Sequence, residues 1–281
     1  MIHLGNRAGG VAAALMVAAT ALGVAGCTAT LPVGGVASGS SVVASAPGWV
    51  GPRLPSVAFV VTCRASHQAP DDPLVHPGHP GASHMHAFFG NTSTTAMSTT
   101  ASLSTASTTC SDAADRASYW TPAPAADHLR AYYDAGNADP SEVAAFPSGL
   151  AGIAGSSEEL EPGVAVVAFR CGRAADGPDA AGWSSSPSAS QCRDGAVVRY
   201  TFGQCADGRL IACRHGQRPT FVRLRLVMAW TGGVAGMGPH ADFWNTWDQR
   251  RLAELVAVCV RGERITNLEI KQCGLPGSGP A

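Results

Sequence analysis

Two patterns of apolar positions run along the chain. Val57-Ala58-Phe59-Val60-Val61-Thr62-Cys63 and Val164-Ala165-Val166-Val167-Ala168-Phe169-Arg170-Cys171 are β-branched and aromatic runs with no breaker, the mark of buried strands. Thr220 to Trp230 alternates Phe221, Arg223 and Arg225 against Val222, Leu224 and Leu226, and Ala196 to Phe202 is a fourth strand candidate. Turn-rich stretches separate these runs, so the pattern predicts an antiparallel sheet or sandwich with long loops. A helical period appears only late. Leu252, Leu255, Val256 and Cys259 recur at i, i+3, i+4 and i+7, behind Asn245-Thr246-Trp247-Asp248, which reads as an N-cap with an acid three residues on. The expected fold is mainly β, with a C-terminal amphipathic helix laid on the sheet.

The densest chemistry lies between Asp71 and Asn91, which hold His76, His79, His84 and His86, four of the nine histidines. Pro73, Pro77 and Pro80 forbid a helix there and make the first half a stiff, turning loop. From Ser83 to Phe89 there is no breaker, and a strand would put His84, His86 and Phe88 on one side. Two imidazoles on one strand face chelate a metal, or one acts while the other orients; histidines beside Pro and Gly are also common as inert loop residues. A second polar cluster, Gly238-Pro239-His240-Ala241-Asp242-Phe243-Trp244-Asn245, puts His240 and Asp242 on one face if it is extended. There a carboxylate fixes the imidazole's tautomer or completes a metal site. We expect Asp72, His84, His86, His240 and Asp242 to converge in one pocket; the competing reading is two unrelated, hydrogen-bonded structural clusters.

Composition and the N-terminus bear on the compartment. Arg7 precedes a short apolar run, Val11 to Val24, that ends in Val24-Ala25-Gly26-Cys27. The arrangement resembles a bacterial lipoprotein signal, which implies a signal over residues 1–26, cleavage before Cys27, and a lipid on Cys27 that ties the protein to the membrane. The alternative is an ordinary secretory signal with an incidental cysteine; either sends the body out of the cytoplasm. Ala, Gly, Ser, Thr and Val dominate to about residue 50 and suit a tether over 27–50, leaving 51–281 as a single domain. Beyond Cys27 eight cysteines remain, enough for four disulfides in an oxidising compartment, with pairing of sequence neighbours preferred among many connectivities. No pair has zinc-finger spacing. Net charge is −1, Lys271 is the one lysine, and arginine is scattered, so the sequence carries no footprint for nucleic acid.

Thr92 to Thr109 is almost wholly Ser, Thr and Ala, and reads as an ordered surface excursion. Tyr119, Trp120, Tyr132 and Tyr133 would suit a sugar-stacking surface, although tyrosines and tryptophans near turns are more often the edge of a core.

Ordered motifs carry a family resemblance. Asp72-Pro73-Leu74-Val75 with Pro77-Gly78, Ser83-His84-Met85-His86 to Phe89-Gly90-Asn91, and Thr108-Thr109-Cys110 come first. Ser118-Tyr119-Trp120-Thr121-Pro122, Ala145-Phe146-Pro147 with Gly149, Phe202 through Cys205-Ala206-Asp207-Gly208, and His240 to Asn245 with Trp247-Asp248 follow. In this order, over roughly 55 to 270, the chain resembles the DUF1996 family of secreted domains of unknown function. It departs from the family at Ala206, where a Trp is usual, and in lacking an Asp/His-rich block between Cys205 and Cys213. If that block supplies active groups elsewhere, this protein would be a reduced version.

Some members are joined to carbohydrate-binding modules, so the resemblance implies a polysaccharide partner. The first functional expectation is therefore a polysaccharide-active hydrolase or lyase, with Asp72, His84, His86, His240 and Asp242 catalytic and Asn91, Trp120 and Asn245 shaping the pocket. The second is a non-catalytic metal- or glycan-binding module in which His84, His86 and His240 hold a divalent ion, zinc or copper. The third is a structural envelope component whose polar motifs only hold loops.

Overall fold

A computed structural model describes residues 58–136, 138–155, 166–185, 192, 195–231, 238–263 and 273. The signal, Cys27 and the tether lie outside the described residues. Eleven described strands form one sheet, and all pair antiparallel except one short parallel bridge. The strands are β1 (Phe59–Ala69), β2 (His86–Gly90), β3 (Ser118–Pro122), β4 (His128–Asp134), β5 (Ala151–Gly155), β6 (Val166–Cys171), β7 (Ala196–Thr201), β8 (Cys205–Asp207), β9 (Arg209–Ile211), β10 (Arg223–Trp230) and β11 (His240–Trp244). Their order is β6-β7-β10-β4-β1-β2-β3-β11-β5-β9-β8.

β1 makes this one sheet. Its first half, Phe59 to Arg64, pairs with β4, and its second half, Ala65 to Ala69, pairs with β2, with a register shift between Ala65 and His67. An irregularity of that kind bends a strand and increases its twist, which lets one long strand serve two directions and curls the sheet. One side of the sheet is the core. Phe59, Val61, Leu129, Ala131, Tyr133, Val198, Tyr200, Leu224, Leu226, Tyr119 and Phe243 all point there.

The helical period is present as α2 (Gln249–Leu255), continued by a π-helical turn over Val256–Val260, and Leu252, Leu255, Val256 and Cys259 are buried in the same core. Its N-cap is Asp248, whose side chain accepts from the Arg251 amide at 2.9 Å, and not Asn245. Thr92 to Thr109 is ordered and includes the short helix α1 (Thr100–Ser104) with Leu103 buried. No described helix is long and apolar enough to cross a membrane.

The eight cysteines pair as sequence neighbours: Cys63–Cys110, Cys171–Cys192, Cys205–Cys213 and Cys259–Cys273. Such bracing fits an oxidising compartment outside the cytoplasm. Of the aromatics considered for sugar stacking, Tyr119 and Tyr133 belong to the core, and Trp120 and Tyr132 lie on the opposite face of the sheet. Tyr119, Trp120, Tyr132 and Tyr133 are all fully buried. Tyr133 stacks on Phe59 at 4.6 Å, takes a hydrogen bond from Trp247 Nε1 at 3.0 Å, and meets the Tyr119 hydroxyl at 2.7 Å.

Candidate metal centre

β2 and β11 carry the two histidine motifs and are separated by one strand, β3. Phe88 and Asp242 both pair with Trp120, which puts these three side chains on one face, opposite to Phe89, Tyr119 and Phe243 in the core. Two residues back along each strand, His86 pairs with Pro122, and the same register places His240 opposite Pro122 from the other side. The imidazoles therefore lean toward each other across one proline, and their Nε2 atoms meet at 3.4 Å. Asp242 follows on the face of His240, with Oδ2 3.8 Å from its Nε2.

The expected strand over Ser83 to Phe89 begins only at His86. His84 precedes it and reaches the centre from the loop, its ring 4.1 Å from that of His86 and edge-on to that of His240 at 5.2 Å. One nitrogen from each of His84, His86 and His240 lies within 4.8 Å of the other two, and so do one ligand atom each from Asp72, His86 and Asp242. All five residues expected to converge do so. His86, His240, Asp72 and Asp242 are buried, while His84 is half-buried and forms the outer lip.

The loop from Pro70 to Met85 is fixed by its two aspartates. Asp71 accepts from the Gly81 amide at 2.8 Å and from the Ala96 amide at 3.0 Å. One Asp72 oxygen accepts from the amides of Leu74 and Val75, at 2.8 and 3.0 Å, a side-chain turn that fixes the carboxylate's direction. The Asp71 carbonyl then accepts from His86 Nδ1 at 2.9 Å, and the Gly238 carbonyl accepts from His240 Nδ1 at 3.1 Å.

Those two carbonyls set the tautomers. A carbonyl only accepts, so each Nδ1 carries the hydrogen, and in the neutral ring Nε2 presents its lone pair. Burial, and then the neighbouring His84 and His240, lower the His86 pKa from 6.5 to about 3, against a smaller upward pull from the Asp71 carbonyl. His86 is therefore neutral at physiological pH. Two lone pairs facing each other at 3.4 Å repel unless something positive lies at that place. Two nitrogens bound at about 2.0–2.1 Å to one tetrahedral zinc sit about 3.3–3.4 Å apart, so the spacing fits a bridging ion. A proton on His240, steadied by Asp242, is the other way to satisfy the pair.

The residues expected to shape a pocket do other work. Asn91 donates to the carbonyls of Leu103 and Arg116 and accepts from Ser93. Asn245 donates to the carbonyls of Phe146 and Pro147 and accepts from the Trp247 amide. Both latch loops. Trp120 lies under the centre against Phe88, at 5.8 Å, and its indole N–H meets no acceptor among the described residues. The Asp71 and Gly238 carbonyls were not foreseen. The adjacent Asp71-Asp72 pair was the signal for the first, although no residue type announces a carbonyl. Between Cys205 and Cys213 the chain is only the hairpin β8–β9, and the five residues come together without it.

Fold and site together define a disulfide-braced, mainly β protein with a buried histidine–aspartate centre. The chain belongs to the family described as Domain of unknown function (DUF1996), whose sequence model matches residues 72–219. The match takes in Asp72, His84 and His86 and ends before His240 and Asp242. No curated protein and no solved structure matches the chain.

Proposed function

We propose that this protein is an exported envelope module that binds one divalent transition-metal ion, zinc or copper, at His84, His86 and His240, with Asp242 and Asp72 as the acidic ligands available to it. The observation that carries the reading is the approach of His86 Nε2 and His240 Nε2 with both Nδ1 hydrogens committed to carbonyls. Imidazole suits zinc and copper, and a buried carboxylate supplies negative charge against the ion. The carbonyls hold the rings as the outer shell of a metal site does, which limits the cost of ordering the ligands. His84, at the lip, is where a ligand exchanged with solvent would enter.

The test is elemental analysis of the chelator-stripped protein after reconstitution with zinc or copper and removal of excess ion. We expect about one equivalent in wild type and a loss of at least tenfold in affinity for His86→Ala. Substoichiometric loading of folded wild type, or unchanged loading of the variant, would remove the proposal.

A second reading rests on the placement of His240 between His86 and Asp242. A proton held there would serve acid–base cleavage of a polysaccharide by hydrolysis or elimination. Chelator-stripped protein that releases product from a glycan panel, and loses that activity in His240→Ala, would favour it. Anchoring through a lipid on Cys27 belongs to the same proposal and is supported by Val24-Ala25-Gly26-Cys27 after the apolar run. Cys27→Ser should move the protein from the membrane fraction to the soluble fraction.

A further inference from the structure

Arginine is scattered in the sequence, yet strand register gathers it. On the five adjacent strands β6, β7, β10, β4 and β1, the residues that alternate with core positions include Arg170, Arg199, Arg223, Arg225, Arg130 and Arg64. Their neighbours Phe169, Val198, Leu224, Leu226, Leu129 and Cys63 face the core, so the guanidiniums occupy the outer side of the sheet. Adjacent strands are about 4.8 Å apart, which spreads one or two arginines per strand over about 19 Å.

Three carboxylates pair with three of these six cations. Asp134 holds Arg223 at 2.7 Å and Arg225 at 2.6 Å, Asp179 holds Arg225 at 2.5 Å, and Asp176 holds Arg170 at 2.8 Å. Among the described residues three positive charges remain in excess on this face, in a chain whose formal net charge is −1. Burial, and then the like charges of Arg225 and Arg223, push the Arg199 pKa below its usual value, as expected where cations are crowded.

Asp176 and Asp179 come from a strap, residues 172–185, that leaves β6 at Cys171, whose disulfide partner is Cys192. The strap lies on the arginines: Arg199 donates to the Pro178 carbonyl at 2.7 Å, and Trp183 sits 5.3 Å from the Arg170 guanidinium and 4.5 Å from that of Arg199. It is a carboxylate-bearing chain already seated on this face. Beyond its edge Arg64 and His128 are exposed, Arg130 is half-buried, and the Arg223 side chain is 22% exposed.

We propose that the part beyond the strap, Arg64 opposite His128, Arg130 two residues on and, farther along β4, Arg223 opposite Asp134, docks a linear acidic polysaccharide that runs along β4 and presents carboxylates as the strap does. Guanidinium forks fit carboxylates in pairs of parallel hydrogen bonds, as Arg225 and Asp179 show here. A line of cations along one strand of a disulfide-braced exported protein suits an extended polyanion met outside the cytoplasm. Trp183 is engaged by two guanidiniums and Tyr132 is fully buried, so among the described residues His128 is the aromatic ring left exposed beside these arginines, whereas single-stranded nucleic acid stacks successive bases on several rings. The surface is independent of the metal centre.

The test is titration of the full chain with polygalacturonate, dextran, polyglutamate and duplex DNA at low and at high salt. We expect binding of polygalacturonate that weakens with salt and falls about tenfold in the double variant Arg64→Gln, Arg130→Gln, with metal content as in wild type. Should the double variant melt early, the exposed Arg64→Gln alone is read, with about a threefold loss expected. Equal binding by wild type and variant, equal binding of dextran, or tighter binding of polyglutamate or DNA than of polygalacturonate would overturn the proposal.

Discussion

A single backbone carbonyl decides what His86 can do. The Asp71 carbonyl fixes the hydrogen on Nδ1, burial keeps the ring neutral, and the free lone pair is left facing His240. This has a pH consequence in the metal-free protein. The folded pKa is depressed from 6.5 to about 3, so below 6.5 the unfolded chain binds the proton that the folded one refuses. The contribution is fully present above about pH 6.5 and is lost as pH falls toward 3, up to about 5 kcal/mol on this residue. Denaturant midpoints of metal-free wild type should fall steeply from pH 7 to pH 4, and His86→Gln should flatten that fall; parallel profiles would refute the assignment. Asp115 acts with the opposite sign. Burial raises its pKa, so its share is present at low pH and fades as pH rises, and comparing the variant with wild type isolates His86. The histidine and aspartate motifs could be read from residue types because two such clusters occur in one chain, each with metal-binding or acid–base side chains one residue apart, although either alone is common as inert structure. Asn91 and Asn245 could not be assigned in that way, since an asparagine that latches carbonyls has the same letter as one that binds a ligand.

Elements were legible in proportion to their periodicity. The stripe Leu252, Leu255, Val256 and Cys259 gave the C-terminal helix, while its start moved from Asn245 to Asp248 because the Asn245 amide is held by the carbonyls of Phe146 and Pro147. The same logic shortened the histidine strand. The Ser83 amide bonds the Pro70 carbonyl and closes the loop, so pairing with β3 begins only at His86. Alternation alone cannot report such a contact, because it is made by residues outside the run. The cap has a measurable effect. Asp248→Ala removes the acceptor for the Arg251 amide and should cost about 1 kcal/mol. For a domain of this size that is a fall of about 2–4 °C in Tm, with metal loading unchanged. An unchanged Tm would mean that the packed apolar stripe, not the cap, sets where the helix begins.

At the scale of the molecule the sequence is silent on what matters most, which is who pairs with whom. His86 and His240 are 154 residues apart, and only the order β2-β3-β11 makes them neighbours. The arginines looked dispersed for the same reason: strands distant in sequence lie side by side and turn the same face outward. Neighbour pairing of the cysteines was the preferred one of many connectivities that the sequence left open, and the structure has it, whereas the curl of the sheet depends on a register shift inside β1 that no residue pattern announces. These facts separate two kinds of bracing. Cys63–Cys110 spans 47 residues and ties the end of the Thr92–Thr109 excursion to the core half of β1, while Ala96 near its start is held separately by Asp71. Removing it with Cys63→Ala and Cys110→Ala frees that loop in the unfolded chain, a loss of about 4 kcal/mol by loop-closure entropy. Below its lowered melting point, the double variant should still load metal as wild type does, since the loop that presents His84 and His86 is held by its own aspartates. Loss of metal from a variant that remains folded would show instead that the disulfide, and not the Asp71 and Asp72 turns, keeps the centre in place.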